Sequence, residues 1–283
     1  MLRSMNRILV IGSKGQIGRT LVSALPKETW YDIHAYDSSM VNYLNKEELK
    51  LLVHSIKPTF IFNCAAYTHV DNAELDSQHD LVCKLNIELP KNLAKFASDV
   101  NAELIHFSTD YVFDGKRNEY YETDKKNPIN EYGLTKSIGE EFALLNSKTK
   151  VFRVQSVYSE HNNNFYKAIK KRVDANEALR VVNDQFMAPT SASWIVKQVI
   201  RTMPYQAYGL FHLTPNGSCS FADFAEAIAD SKVSVERISY KEYGNKTPRP
   251  MVTRLNTGRF QRMFHEITDS WQDVYADFKF KNT

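Results

Sequence analysis

Arg7-Ile8-Leu9-Val10-Ile11-Gly12-Ser13-Lys14-Gly15-Gln16-Ile17-Gly18 is the stretch on which the fold turns. Behind Arg7 runs a continuous apolar segment, the pattern of a parallel strand buried on both faces. Gly12, Gly15 and Gly18 follow at intervals of three, and Arg19 to Leu25 then reads as a helix ended by Pro26. Glycines at a strand-to-helix turn let the backbone approach a pyrophosphate, with the helix N-terminus pointing at it. A glycine pattern alone is weak. Here the strand before it and the helix after it supply the context, against the alternative of a tight turn with no ligand. The turn offers Gly12, Lys14, Gly15, Gln16 and Ile17 as cofactor contacts. A second strand near Tyr31 to Tyr36 ends in Asp37, nineteen residues past Gly18. A carboxylate there accepts hydrogen bonds from an adenosine ribose and repels a 2′-phosphate, which favours NADH over NADPH. The competing reading of Asp37 is a solvated turn residue, because Ser38 and Ser39 follow it.

The same alternation continues outward. Asn45 reads as the N-cap of a helix reaching about Ile56, with Glu47 and Glu48 in its first turn. Thr59 to Asn63 is a third strand. It opens into Cys64-Ala65-Ala66-Tyr67, where small side chains let a backbone lie flat against a cofactor, and Cys64 reads as a buried filler. Asp80 to Val100 reads as one long helix with Leu85, Leu89, Leu93 and Phe96 on its core face. Glu103 to Phe107 is a fourth strand and Val151 to Val154 a fifth. Together these predict an α/β chain with a Rossmann-type doubly wound parallel sheet and ligands beyond the strands' carboxyl ends. Past residue 157 the pattern loosens into helices at 164–175, 191–203 and 221–229 and short strands near 180–182 and 210–213. Residues 1–157 are therefore expected to form the dinucleotide-binding domain. Residues 158–283 should form mainly a smaller, interleaved α/β substrate-binding lobe, with some segments returning to the first domain.

Between the fourth and fifth strands lies Glu131-Tyr132-Gly133-Leu134-Thr135-Lys136. A tyrosine and a lysine four apart share one helix face, stacked about 6 Å along its axis. An ammonium beside a phenol favours the phenolate and lowers a pKa that starts near 10, as proton transfer near neutrality requires. Ser108 and Thr109 leave a buried strand nearby, so either hydroxyl can hold a substrate carbonyl against that tyrosine. His106, inside the same apolar strand, reads as a satisfied core histidine. Of Tyr111 and Phe113, one is expected to line the pocket and the other to pack.

Composition narrows the function classes. The chain has 283 residues, 43% hydrophobic and 12% aromatic, enough for one sizeable core and a lobe. No apolar run approaches the ~20 residues of a membrane span, and the N-terminus lacks a signal peptide's apolar core. Cys64, Cys83 and Cys219 are scattered and odd in number, which suits reduced thiols in a cytoplasm. A formal charge of +3 is too weak to argue for nucleic acid. The eight histidines show no ligand spacing, so no catalytic metal is expected.

Gly12-x-x-Gly15-x-x-Gly18, the Ser108-Thr109 strand end and Tyr132-x-x-x-Lys136 together resemble the extended short-chain dehydrogenase/reductases. More closely, the chain is similar to the dTDP-4-dehydrorhamnose reductase family within them. That likeness rests on Ala65-Ala66-Tyr67-Thr68-His69-Val70-Asp71-Asn72-Ala73-Glu74 and Phe107-Ser108-Thr109-Asp110-Tyr111-Val112-Phe113-Asp114-Gly115. It continues in Asn183-Asp184-Gln185-Phe186-Met187-Ala188-Pro189-Thr190 and in Arg249-Pro250 with Arg254-Leu255-Asn256-Thr257. The resemblance implies reduction at C4 of a nucleotide-bound 4-keto-6-deoxy sugar, dTDP-4-dehydro-L-rhamnose foremost, by NADH or NADPH. It implies Tyr132 as proton donor, Lys136 as ribose holder and Thr109 as partner of the C4 oxygen. Cofactor contacts then fall on Gly12, Lys14, Gly15, Gln16, Ile17, Asp37, Cys64, Ala65, Ala66, Tyr67, Ser108, Tyr132 and Lys136. Substrate contacts fall on Val70, Thr109, Asp110, Tyr111, Ser156, Gln185 and Arg249, with Arg254 a second candidate for the diphosphate.

The chain departs from the family in three places. Ser156 stands where family members carry a pocket tryptophan. Val41-Asn42-Tyr43-Leu44-Asn45 lacks the two acids usual near the adenosine. Thr20 and Ser193 occupy the positions at which some members hold a dimer-bridging Mg²⁺ through glutamates. The runner-up readings are a 4-reductase for another keto sugar, such as a UDP-linked N-acetyl sugar, and a non-catalytic NADP-binding regulatory subunit. The expected state is a monomer or homodimer.

Overall fold

The computed structural model describes residues 6–25, 31–244 and 246–282. β1 (Asn6–Ile11), β2 (Tyr31–Tyr36), β3 (Phe60–Asn63), β4 (Glu103–Thr109) and β5 (Thr149–Val154) lie side by side in one parallel sheet. The first crossovers are α1 (Gln16–Ala24) and α2 (Lys46–Ile56). The third is a longer run, α3 (Val70–Ala73), α4 (Asp76–Cys83), a π-helical turn over Lys84–Glu88 and α5 (Leu89–Asp99). α6 (Glu131–Ala143) connects β4 to β5. β1 is legible as a continuous apolar run because both its faces are covered. Ile8 and Val10 enter one core with Phe62, Ile105 and Phe152, whereas Leu9 and Ile11 enter another with Val53, Ile61, Leu93 and Phe96.

The rest of the chain weaves between sheet and lobe. It comprises β6 (Val157–Tyr158), α7 (Phe165–Asp174), β7 (Leu179–Val182), β8 (Phe186–Met187) and β9 (Thr190–Ser191). α8 (Ala192–Thr202), β10 (Gly209–His212), β11 (Cys219–Ser220), α9 (Phe221–Ala229) and β12 (Val235–Ile238) follow. α10 (Tyr240–Tyr243), α11 (Gly258–Phe264) and α12 (Trp271–Lys281) complete it. β10 pairs with β5 and extends the sheet to the order β10-β5-β4-β3-β1-β2. Trp194 of α8 and Phe260 and Phe264 of α11 sit in the same core as Ile8. A third core, around Tyr158, Tyr166, Leu179, Phe224 and Phe278, belongs to the lobe. The sheet reverses direction at β1, with β2 on one side and β3 on the other, which opens a crevice at the strands' carboxyl ends.

Several boundaries differ from the sequence reading. α1 begins at Gln16 rather than Arg19, because Gly15 in extended conformation serves as its N-cap and Gly18 lies inside the helix. The long helix expected from Asp80 starts at Asp76 and is interrupted by the π turn. Ser108 and Thr109 remain in β4, paired with Arg153 and Val154, rather than following it. The elements after residue 230 were not foreseen, since their apolar residues lack a clean period. Pro26 lies outside the described residues. No helix among those described is long and apolar enough to cross a membrane.

Candidate active site

The crevice beyond β1, β3 and β4 holds a cavity of about 750 Å³ lined by Gly15, Gln16, Ile17, Cys64, Ala65, Ala66, Ser108, Thr109, Tyr132, Lys136 and Ser156. Gly12, just past the end of β1, has φ +83°, and a Cβ there would stand 2.7 Å from the Ala65 amide nitrogen. Glycine is therefore required both for the backbone conformation and for the close approach. No side chain caps α1 and its first turn carries no acid. Its free amides and positive dipole end can take a phosphate, so the turn and cavity fit a dinucleotide. Asp37 accepts from the Ser39 hydroxyl and amide and pairs with Lys14 at 2.9 Å. Those bonds, Ser39 first and Lys14 next, hold its carboxyl down to about 2. The expected ribose carboxylate thus carries its own cation, which offsets repulsion of a 2′-phosphate. Cys64 borders the cavity rather than being sealed in the core, and burial pushes its thiol well up, so it is unreactive.

α6 is fixed from three sides. Asn130 caps it by accepting from the Gly133 amide at 2.8 Å. Gly139 lets the helix ride against the π turn, where a Cβ would stand 2.0 Å from the Asn86 carbonyl oxygen. Glu140 receives both Nε and Nη2 of Arg153 at 2.8 Å and the Ser108 hydroxyl at 2.5 Å. Burial pushes the Glu140 carboxyl up, yet Arg153, Lys126 and Ser108 outweigh it and hold the group below its ordinary range. Of the two candidate hydroxyls, Ser108 donates to Glu140 and Thr109 to Asp110, and it is Thr109 that lies near enough to the Tyr132 phenol to favour its ionised form.

Lys136 and Tyr132 share a face of α6, but the ammonium does not act on the phenol as expected. Lys136 Nζ donates to the Phe107 carbonyl at 2.6 Å, and burial lowers the lysine to about 8. Burial raises Tyr132 to about 12, with the Thr109 hydrogen bond pulling the other way. Desolvation decides both shifts. His106 is only half satisfied: its Nδ1 accepts from Asn63 at 3.1 Å, while Nε2 has no partner among the described residues. Burial, then Lys136, keeps it neutral.

A second pair of cavities, of about 490 and 400 Å³, meets at Asp71, Phe165, Phe221 and Arg249. Arg249 Nη2 pairs with Asp71 at 2.7 Å, whereas its Nη1 is buried with no hydrogen-bond partner among the described residues. Val70 and Ser156 line the larger cavity, and Tyr111 and Gln185 the smaller. Ser156 adopts φ +42°, a left-handed conformation costly for a non-glycine residue. Phe113 packs in a small core, stacked on Tyr120 at 4.2 Å, which settles the Tyr111/Phe113 alternation.

Three expected contacts fall elsewhere. Asp110 is buried behind the cleft, accepting from Thr109, Gln155 and Thr253, as a carboxylate taken out of solvent requires. Tyr67 turns its ring into a cluster with Ala73 and Val82 and bonds Gln78 through its hydroxyl. Arg254 lines a separate cavity and donates to Ser218, so Arg249 alone of the two faces the crevice. Thr20 and Ser193 bond Gln16 and Ser191, and neither offers a carboxylate.

Other residues were missed. Asn86, fully buried in the π turn, ties Tyr67 to Thr135 of α6; a polar residue beside a leucine stripe was the available signal. Ser159 and Asn164 both donate to the Gln16 side chain at 2.9 Å and bring Asn162 and Asn163 over the cofactor cavity. Phe165 and Phe221 form an edge-to-face pair at 5.0 Å. Nothing local in the sequence marks these.

Comparison with known proteins accords with this geometry. The family model described as the RmlD substrate binding domain matches residues 5–280. The chain is 33% identical to a dTDP-4-dehydrorhamnose reductase of Aggregatibacter actinomycetemcomitans, covering 97% of this chain and 99% of that protein. It is 35% identical to one of Escherichia coli K12, covering 94% of each. A crystal structure of dTDP-4-dehydrorhamnose reductase from Bacillus anthracis, in complex with NADP, superimposes with a TM-score of 0.93 at 32% identity, covering 98% of this chain and 99% of that one.

Proposed function

The chain belongs to the RmlD substrate-binding domain family, and we propose that it reduces the C4 keto group of dTDP-4-dehydro-L-rhamnose to give dTDP-L-rhamnose, using NADPH or NADH. The observation that carries this reading is the convergence of Thr109, Tyr132 and Lys136 on one cavity whose other end is an uncapped helix N-terminus. When bound there, the cofactor supplies a hydride. Tyr132 holds its proton through neutral pH and gives it to the alkoxide that forms at C4. Thr109 orients that oxygen, and the charge growing on it is met by donors already in place. Lys136 lies one turn further along, suited to hold ribose hydroxyls. Arg249, with one Nη unpartnered among the described residues, suits the diphosphate, and the Phe165–Phe221 pair suits a nucleobase. Residues up to 157 then serve mainly the cofactor and those beyond mainly the sugar nucleotide. The three cysteines are all unpaired, which suits a reducing cytoplasm.

A second reading is a 4-reductase for a UDP-linked N-acetyl sugar. It draws on Ser156, whose small side chain leaves the 490 Å³ cavity open beside the site. The test is to follow NADPH and NADH absorbance with each keto sugar nucleotide and to identify the product by NMR. Oxidation with the dTDP substrate, lost in Tyr132→Phe while cofactor binding persists, is the expected result. Oxidation with the UDP substrate alone would move the assignment, and turnover surviving in Tyr132→Phe would refute the role given to the phenol.

A further inference from the structure

We propose that His79, Cys83 and Glu131 form a binding site for a zinc-class divalent cation that ties α4 to the residue preceding Tyr132. His79 and Cys83 are four apart on α4 and so share one helix face. Glu131, the first residue of α6, reaches across to them. Its Oε1 lies 3.4 Å from His79 Nδ1, and Cys83 Sγ lies 3.6 Å from His79 Nε2. One ligand atom from each residue can be chosen so that all three lie within 4.8 Å of one another.

Tetrahedral zinc, with bonds of about 2.0–2.3 Å, needs ligand atoms roughly 3.3–3.8 Å apart. The two contacts use different nitrogens of His79, so a metal takes one of them and the remaining side chain must swing in from within 4.8 Å. Mixed nitrogen, sulfur and oxygen donors select zinc or its analogues and not magnesium or calcium, which take oxygen. Three protein ligands leave a fourth position for water. None of the three lines the cofactor or substrate cavities, so the site is separate from the reaction. Glu88 adds a carboxylate near Cys83, while Asp80 is already paired with Lys84 at 2.6 Å. The site's supports are already in place: the Glu131 amide donates to Glu74 at 2.7 Å, and Tyr67 binds Gln78. Val82, beside Cys83, packs in the cluster that also receives the Tyr132 ring. Occupying the site would brace the wall behind Tyr132. Histidines and cysteines weighed separately show no ligand spacing in the sequence; the signal is His79 and Cys83 taken together, one helical turn apart.

The test is titration of reduced, full-length protein with Co²⁺, followed by competition with Zn²⁺. The expected result is one equivalent bound, with a thiolate-to-cobalt charge-transfer band and tetrahedral d–d bands that Zn²⁺ abolishes. Cys83→Ser removes the charge-transfer band, and His79→Ala weakens binding by at least about 10- to 100-fold. Both positions are at the surface or partly exposed, and unchanged melting temperatures in metal-free buffer will show that the variants fold. Absence of stoichiometric cobalt binding overturns the proposal. So does a charge-transfer band that persists in Cys83→Ser, which would place the metal on Cys64 or Cys219.

Discussion

Replacing Glu140 by glutamine will unseat the helix that presents Tyr132 and Lys136. The carboxylate is 1% exposed and bidentate to Arg153, with Ser108 also bonded to it. Glutamine keeps the shape but leaves the Arg153 guanidinium buried without a counter-charge, and breaking such a pair costs about 3–5 kcal/mol. Over 283 residues, an unfolding entropy of ~2.1 cal/mol/K per residue converts this to a fall in Tm of about 5–8 °C. Two pH effects follow. The Glu140 carboxyl is depressed, so its stabilisation is present above the ordinary value of 4.5 and fades as pH falls below it; the variant lacks that acid sensitivity. Glu140 also raises the Lys136 pKa, so in the variant the lysine loses its proton below about 8 and the alkaline limb of kcat moves to lower pH. Calorimetry between pH 3 and 8 and a pH–rate profile measure both. A loss of Tm under about 2 °C together with an unmoved alkaline limb would refute the anchoring argument. A Glu140→Leu/Arg153→Met double variant should recover much of the stability and none of the pH effect.

Lys14→Ala leaves Asp37 without its cation and should weaken NADPH relative to NADH by up to about fivefold, the ceiling for so exposed a pair, read as a ratio of KM values. Gly139→Ala forces a Cβ against the Asn86 carbonyl and should cost about 1–3 kcal/mol or more, measured by urea unfolding. Arg249→Gln should raise KM for the sugar nucleotide about tenfold or more, the value of one charge-assisted hydrogen bond, with the cofactor KM unchanged.

What was legible in the sequence is what a single element decides by itself. β1 announces itself because both faces are buried, and Tyr132 and Lys136 because four residues make one helical turn. Asn45 caps the helix it precedes. What was not legible depends on which face the fold happens to cover. Glu140 and Glu141 are adjacent and chemically identical, yet the side chain of one is 1% exposed and of the other 68%. Only the approach of β5 with Arg153 separates them. Arg249 and Arg254 likewise sit five apart in a basic turn but enter different cavities. Asp110 looked like a pocket residue by its place in a motif, and the packing of Gln155 and Thr253 behind β4 takes it away.

The acid–base pair itself shows why spacing alone misjudges chemistry. A lysine one turn from a tyrosine reads as a device for lowering the phenol pKa, but the ammonium is spent on the Phe107 carbonyl, and burial moves the phenol up and the lysine down. For reduction that arrangement has the right sense. The reacting oxygen becomes an alkoxide as hydride arrives, a far stronger base than phenolate, so a phenol near 12 keeps its proton until that charge develops and then yields it. A phenol poised near 7 would ionise beforehand and could no longer donate to the C4 oxygen. The lysine, near 8, stays cationic at neutral pH where ribose hydroxyls need a donor. Burial of the phenol, more than the charge of Lys136, is therefore what keeps Tyr132 protonated and able to donate.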